Sequence, residues 1–189
     1  MKNSILTQGS MTCGKEEKTV FTHSEIEAPD LEAFYIQVSQ QVKHLIAGER
    51  NEFANLSNVS ALLNMHLQDI NWVGFYLWYE AEQELVLGPF QGKPACIRIG
   101  MGRGVCGQAV KDKKTLVVED VLSFPGHIAC DAVSRSEIVV PLLRGAQVMG
   151  VLDIDSPSPG RFDNADAEGL ELVVRALTDS VQFKQSIQA

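Results

Sequence analysis

Four cysteines, Cys13, Cys96, Cys106 and Cys130, are the residues of this chain whose chemistry is most distinctive. A cysteine can hold a metal, act as a nucleophile or fill a small apolar space, and spacing helps to separate these roles. Cys96 and Cys106 stand ten residues apart and Cys130 twenty-four further on, so none forms the CxxC pair of a zinc or thioredoxin site. His23, His44, His66 and His127 are scattered without paired ligand spacing, and no metal is expected. Reactive thiols or buried small hydrophobes remain, burial being the ordinary fate of a lone cysteine. Cys130, however, sits in the stretch Phe124 to Ser136 beside His127 and Arg135, and Cys96 follows a glycine- and proline-rich turn. Loop cysteines near cationic groups have surroundings in which a thiolate can form at neutral pH.

Carboxylates embedded in strand-like text come next. Asp153 and Asp155 lie two apart in Val151-Leu152-Asp153-Ile154-Asp155, so on a strand both point to one face and repel each other unless a cation intervenes. That cation could be a metal, an arginine or a substrate ammonium; the plainer reading is a solvated strand end whose acids cap a turn. Glu137, before Ile138-Val139-Val140, makes a convergent acidic cluster possible. Of the aromatics, Trp72, Tyr76 and Trp78 share one face of a strand and Phe75 and Tyr79 the other; one face must serve the core and the other can line a site. Gly100 to Gly107 looks like a phosphate loop but lacks the GKS/T ending and the GxGxxG context, and reads as a tight turn before a helix.

These residues need elements to hold them. Leu31, Phe34, Tyr35, Val38, Val42, Leu45 and Ile46 recur at three- and four-residue steps, a helix capped by Asp30 and stopped by Gly48. A second helix is expected over Glu52 to Met65, with Phe53, Leu56, Val59, Leu62 and Leu63 inward. The period then shortens. Trp72 to Trp78 and Glu84 to Leu87 read as a hairpin, followed by a turn from Gly88 to Pro94, a strand Cys96 to Ile99 and a short helix Val105 to Lys111. Leu116 to Val118 is a further strand, and Glu137 to Leu143 and Gln147 to Ile154 form a hairpin across Arg144-Gly145-Ala146. Asp163 caps a closing helix through Leu170, Leu172, Val173, Leu177 and Val181. Helices, a meander of strands and a final helix describe an α+β domain with an antiparallel sheet.

Composition bounds the partners. The chain has 189 residues, 45% of them hydrophobic, enough for one core, expected over residues 30–189 behind a polar, flexible N-terminal arm at 1–29. A formal charge of -8 without a basic run argues against nucleic acid or an anionic membrane surface. No apolar stretch has membrane-spanning length, and Met1 to Ser10 lacks the basic-then-apolar order of a secretory signal, so a cytoplasmic location is expected. Reducing surroundings disfavour structural disulfides there.

Six segments carry a resemblance: Asn71 to Tyr76, Leu87 to Cys96, Gly104 to Gly107, Phe124 to Asp131, Ser136 to Pro141 and Gly150 to Ser156. Together they resemble the free methionine-(R)-sulfoxide reductases, a catalytic branch of the GAF domains, over nearly all of the chain from about Leu31. The resemblance implies a central antiparallel sheet with the N- and C-terminal helices on one face and the active-site pocket on the other, and a homodimer packed through helices. It places the nucleophile at Cys130, the main resolving cysteine at Cys96 and a secondary one at Cys106, with substrate-binding carboxylates at Glu137, Asp153 and Asp155; Trp72 or Tyr76 could wall the substrate methyl group. The chemistry so implied is reduction of free methionine (R)-sulfoxide through a cysteine sulfenic acid and an intramolecular disulfide. No bound cofactor is expected; a dithiol such as thioredoxin, fed by NADPH through thioredoxin reductase, would recycle the enzyme in repair of oxidised methionine and defence against oxidative stress. Most GAF domains bind ligands without this cysteine set, so the rivals are a non-catalytic GAF module and a dimerisation domain.

Overall fold

The computed structural model describes residues 25–127 and 131–183; Cys13, Cys130 and most of the expected arm lie outside the described residues. Helix α1 (Leu31–Leu45) begins where the Asp30 carboxylate accepts from the Ala33 amide at 2.8 Å, and buries Tyr35, Val38 and Val42. Asn51 caps α2 (Glu52–His66) in the same way. The inward stripe of α2 runs through Glu52, Asn55, Leu56, Val59 and Leu63, so Phe53, expected inside, falls beside the stripe and is 48% exposed. The last helix, α4 (Asn164–Ser180), opens on a capping box between Asp163 and Asp166. Leu170, Val173 and Leu177 point inward from it, whereas Leu172, two positions past Leu170 and so about 200° around the helix, faces solvent rather than the core.

Six strands, β1 (Trp72–Tyr79), β2 (Glu84–Gln91), β3 (Arg98–Gly100), β4 (Leu116–Val118), β5 (Ser136–Arg144) and β6 (Gln147–Ser156), form one sheet in the order β3-β2-β1-β6-β5-β4, antiparallel throughout. A short helix, α3 (Gly104–Asp112), follows β3. The first strand after the helical opening thus ends beside the last, and β1 and β6 make the centre of the sheet.

Two stretches around β2 and β3 depart from the expected pattern. The segment expected to turn at Gly88 continues as strand to Gln91, because β2 carries a bulge: Tyr76 pairs with Leu87 and Gly74 with Phe90, leaving an extra residue over Gly88-Pro89. Proline, with no amide hydrogen to give to a ladder, is tolerated at such a bulge. The next strand starts at Arg98, so Cys96 lies in the connection before β3 rather than within a strand.

Each face of the sheet has its own apolar cluster. Val73, Phe75, Leu77, Ile138, Val140, Leu152 and Ile154 pack under α1, α2 and α4, while Trp72, Tyr76, Trp78, Val139 and Val151 meet Val105, Cys106, Ala109 and Val110 of α3. The strand periodicity read for the aromatics therefore holds, and among the described residues the face bearing Trp72 and Tyr76 is covered by α3 and loops. No described helix is long and apolar enough to cross a membrane.

Candidate active site

Pairing of β5 with β6 sets Glu137 opposite Asp155, and Asp153 lies two residues before Asp155 on the same face. All three line one cavity on the α3 side of the sheet, with a volume of about 30 Å³. Glu137 and Asp153 are 5% and 7% exposed, so these acids do not occupy a solvated strand end. Cys106, in the first turn of α3, is lowered onto them: its thiol lies 4.0 Å from Glu137 Oε1.

The adjoining wall is aromatic. Trp72 stacks on Tyr76 on one side (ring centroids 5.9 Å apart) and on Phe90 on the other (5.3 Å). Gly74 makes this possible, since a Cβ there would fall 2.3 Å from the Phe90 Cβ and 2.7 Å from the Trp72 ring. Trp72 Nε1 donates to the Lys93 carbonyl and the Tyr76 hydroxyl to the Cys96 carbonyl, both at 3.0 Å, so the two rings fix the path of the segment carrying Cys96. Cys96 is half-buried beside this wall; its neighbours Pro94 and Ala95, rather than Cys96 itself, line the cavity.

The loop on either side of Cys130 supplies the third wall. His127 and Asp131 both line the cavity, as does Ser134. Lys93 reaches from the Cys96 segment to Asp131 at 3.0 Å, and Asn71 donates to Ser134 Oγ (3.0 Å) and Asp131 Oδ2 (3.4 Å). The segments holding Cys96 and Cys130 are thus clasped to each other across the mouth of the site.

Burial and mutual repulsion dominate the electrostatics. Loss of water holds the Glu137 and Asp155 carboxyls well above their ordinary range, with the Asp153 charge pushing in the same direction. Asp153 is also raised by burial, to about 6, opposed by hydrogen bonds from Cys106 and Glu137. Burial, then the carboxylates, keep the Cys106 thiol protonated. Asp131 moves the other way, held below its usual range by the Val133 amide and Lys93. Burial lowers His127, leaving its ring neutral at pH 7, and Arg135 turns to Asp120 at 3.5 Å. Lys93, from a different loop, brings a positive charge to Asp131, the residue after Cys130.

Of the residues singled out in the sequence, Trp72, Tyr76, Cys106, Glu137, Asp153 and Asp155 meet in one cavity, Cys96 stands beside it, and Cys130 is not among the described residues. Lys93, Arg103, Asp131 and Ser134 were not anticipated as lining, and His127 was noted only as a neighbour in sequence. The Gly-Lys-Pro turn and the acid directly after Cys130 were the only available signals for Lys93 and Asp131.

Residues 59–182 match the GAF domain family. Over 160 residues the chain is 54% identical to the free methionine-R-sulfoxide reductase of Escherichia coli, a match spanning 82% of this chain and 96% of that protein. Identity to the free methionine-R-sulfoxide reductase of Saccharomyces cerevisiae is 46% over 143 residues, 72% of this chain and 79% of the yeast protein. The X-ray structure of the Neisseria meningitidis free methionine-R-sulfoxide reductase in complex with its substrate superposes with a TM-score of 0.79 at 45% identity, covering 87% of this chain and 96% of that one.

Proposed function

Since the chain belongs to the free methionine-R-sulfoxide reductases of the GAF-domain family, we propose that it reduces free methionine (R)-sulfoxide by thiol chemistry at Cys130, in the pocket bounded by Glu137, Asp153, Asp155, Trp72 and Tyr76. The observation that carries this reading is the buried acidic wall meeting an aromatic wall. Free methionine sulfoxide brings an ammonium group, an apolar stem and a polar sulfoxide, and a site for it needs both walls.

In the proposed reaction the Cys130 thiolate sulfur bonds to the substrate sulfur while the sulfoxide oxygen takes up two protons, breaks from sulfur and leaves as water. A water oxygen then attacks the Cys130 sulfur, the S–S bond breaks with its electron pair going to methionine, one proton is released, and Cys130 is left as sulfenic acid. Glu137, whose carboxyl burial pushes well above its ordinary range, suits the role of proton donor to the sulfoxide oxygen. Asp153, titrating near 6 and accepting from Glu137 and Cys106, is the ionised partner suited to the ammonium. The Trp72 and Tyr76 rings suit the methyl group. Condensation of the sulfenic acid with the Cys96 thiol then releases water and forms a disulfide, which a dithiol such as thioredoxin reopens by exchange. Cys106, protonated and enclosed, is a poorer nucleophile and serves as the secondary resolving thiol.

The reductant implies a reducing compartment, in keeping with a cytoplasmic role in methionine repair under oxidative stress. Ile36, Phe53 and Met65 expose apolar surface on α1 and α2 that a helix-packed homodimer would cover, which sedimentation can test. The direct assay of function is NADPH consumption through thioredoxin with each free sulfoxide epimer and with an N-acylated substrate. Turnover of the free R epimer alone is expected. Equal turnover of the S epimer would overturn the R-sulfoxide reading, and turnover of the acylated compound would overturn the enclosed-ammonium reading.

A further inference from the structure

Cys106, Glu137 and Asp153 each offer one ligand atom, a sulfur and two carboxylate oxygens, all within 4.8 Å of one another and all buried. His127 lies outside this group but next to it, with its Nδ1 3.7 Å from Glu137 Oε2. Two of the atoms involved are buried polar groups without a hydrogen-bond partner, His127 Nδ1 and Asp153 Oδ1. Buried polar atoms are ordinarily satisfied, so two orphans on one small cavity indicate an occupant. We propose that the pocket also binds a divalent zinc-class cation through Cys106, Glu137 and Asp153, with His127 as an outer partner of Glu137, and that the bound ion blocks reduction of the sulfoxide. The blocking half rests on the reading of this cavity as the substrate pocket.

The donor set itself selects the class of ion. One sulfur and two carboxylate oxygens give zinc three protein ligands and leave a fourth position for water, whereas magnesium and calcium call for oxygen alone. The ligands come from positions 106, 137 and 153, on α3, β5 and β6, so the absence of CxxC or paired-histidine spacing, which argued against zinc in the sequence, does not bear on them. Size and charge point the same way. A cavity of about 30 Å³ has room for an ion with bound water. Its lining carries the carboxylates of Asp131, Glu137, Asp153 and Asp155 against the cations Lys93 and Arg103, and Lys93 is already paired with Asp131. Coordination requires Cys106 as thiolate and Glu137 as carboxylate, their protons passing to water; a dication beside the sulfur reverses the repulsion from the carboxylates, and the N-terminal turn of α3 favours the same charge. The ion would occupy the acids proposed to hold the substrate ammonium and proton, so the two ligands exclude each other.

The test uses the full-length, reduced protein with Co²⁺ as a spectroscopic probe and Zn²⁺ as inhibitor. One Co²⁺ per chain is expected, with a thiolate charge-transfer band that Cys96→Ser retains and Cys106→Ser loses. Free methionine sulfoxide should displace the ion, and His127→Gln should weaken it by at least about tenfold, the scale of losing an outer partner of a metal site. In turnover assays Zn²⁺ should inhibit competitively with methionine sulfoxide and be reversed by a chelator. A band unchanged in Cys106→Ser, or no stoichiometric Co²⁺ binding by the folded wild type, sinks the site. Binding with unaltered turnover sinks the block. Asp153→Asn supplies a second ligand variant should Cys106→Ser not fold, and there Co²⁺ affinity undiminished from wild type counts against the proposal. Because Co²⁺ binding is read by absorbance, it stands or falls separately from reductase activity, which metal-free assays establish.

Discussion

Glu137, Asp153 and Asp155 are held where ionisation is costly, and the consequence for stability has a definite sign. Each has a folded-state affinity for protons above that of the unfolded chain. Between the unfolded values near pH 4 and the folded ones, the native state binds more protons than the unfolded state, so this contribution is complete below about pH 4 and declines as pH rises. For Asp153 the decline runs through about 6. Asp153→Asn removes a charge that is unfavourable in the empty pocket, so the variant should gain thermal stability relative to wild type between pH 5 and pH 8, by on the order of 2–3 kcal/mol. The same variant should capture substrate poorly. Melting curves at the two pH values and saturation kinetics measure both effects, and unchanged kinetics would remove Asp153 from the ammonium site. The cysteines separate in single turnover. Cys130→Ser should yield no methionine at all, whereas Cys96→Ser should release one equivalent and then stall with thioredoxin; full recycling would shift the resolving role to Cys106.

At the scale of elements, α1 and α4 are locked by one close approach. Tyr35 donates to Asp166 Oδ1 at 2.6 Å, Arg161 pairs with the same carboxylate, and Gly169 lets the ring through: a Cβ there would lie 2.1 Å from Tyr35 Cδ2. Alanine is worth about 1 kcal/mol over glycine in a helix, but overpacking costs about 1–3 kcal/mol and the ring is pinned at its hydroxyl. Gly169→Ala should therefore lower stability in denaturant unfolding, and a Tyr35→Leu background should shrink the loss. The clasp between Lys93 and Asp131 is of a different kind, because it joins loops. Lys93→Gln should raise amide hydrogen exchange in residues 93–97 and 131–135 while leaving the centre of the sheet protected; equal exchange in both proteins would show that Asn71 alone holds the mouth.

For the molecule as a whole, the sequence was most legible where signals are local. Caps at Asp30 and Asp163, the i, i+3, i+4 stripes of α1 and α4 and the alternation along β1 placed the helices and the aromatic face. Local patterns misled where packing decides: Gly88-Pro89 looks like a turn and is a bulge, and Phe53 and Leu172 look like core and face water. In the site, the acid pair on β6 was visible by its spacing. His127 and Lys93 were not, since both enter from loops whose course depends on contacts with Asn71, Trp72 and Asp131. The order of the sheet carries a kinetic consequence. The β1–β2 and β5–β6 hairpins close over short loops, but Gly74 pairs with Asp153, 153 − 74 = 79 residues away. Such distant pairing is the slow kind, because chain must be gathered before contacts repay it. Trp72 and Tyr76 lie on one side of that seam and Asp153 and Asp155 on the other, so neither hairpin alone holds half a usable pocket. Stopped-flow refolding should show substrate-binding competence and sheet formation rising with a single rate constant, the chemistry of the protein appearing only when its two halves meet.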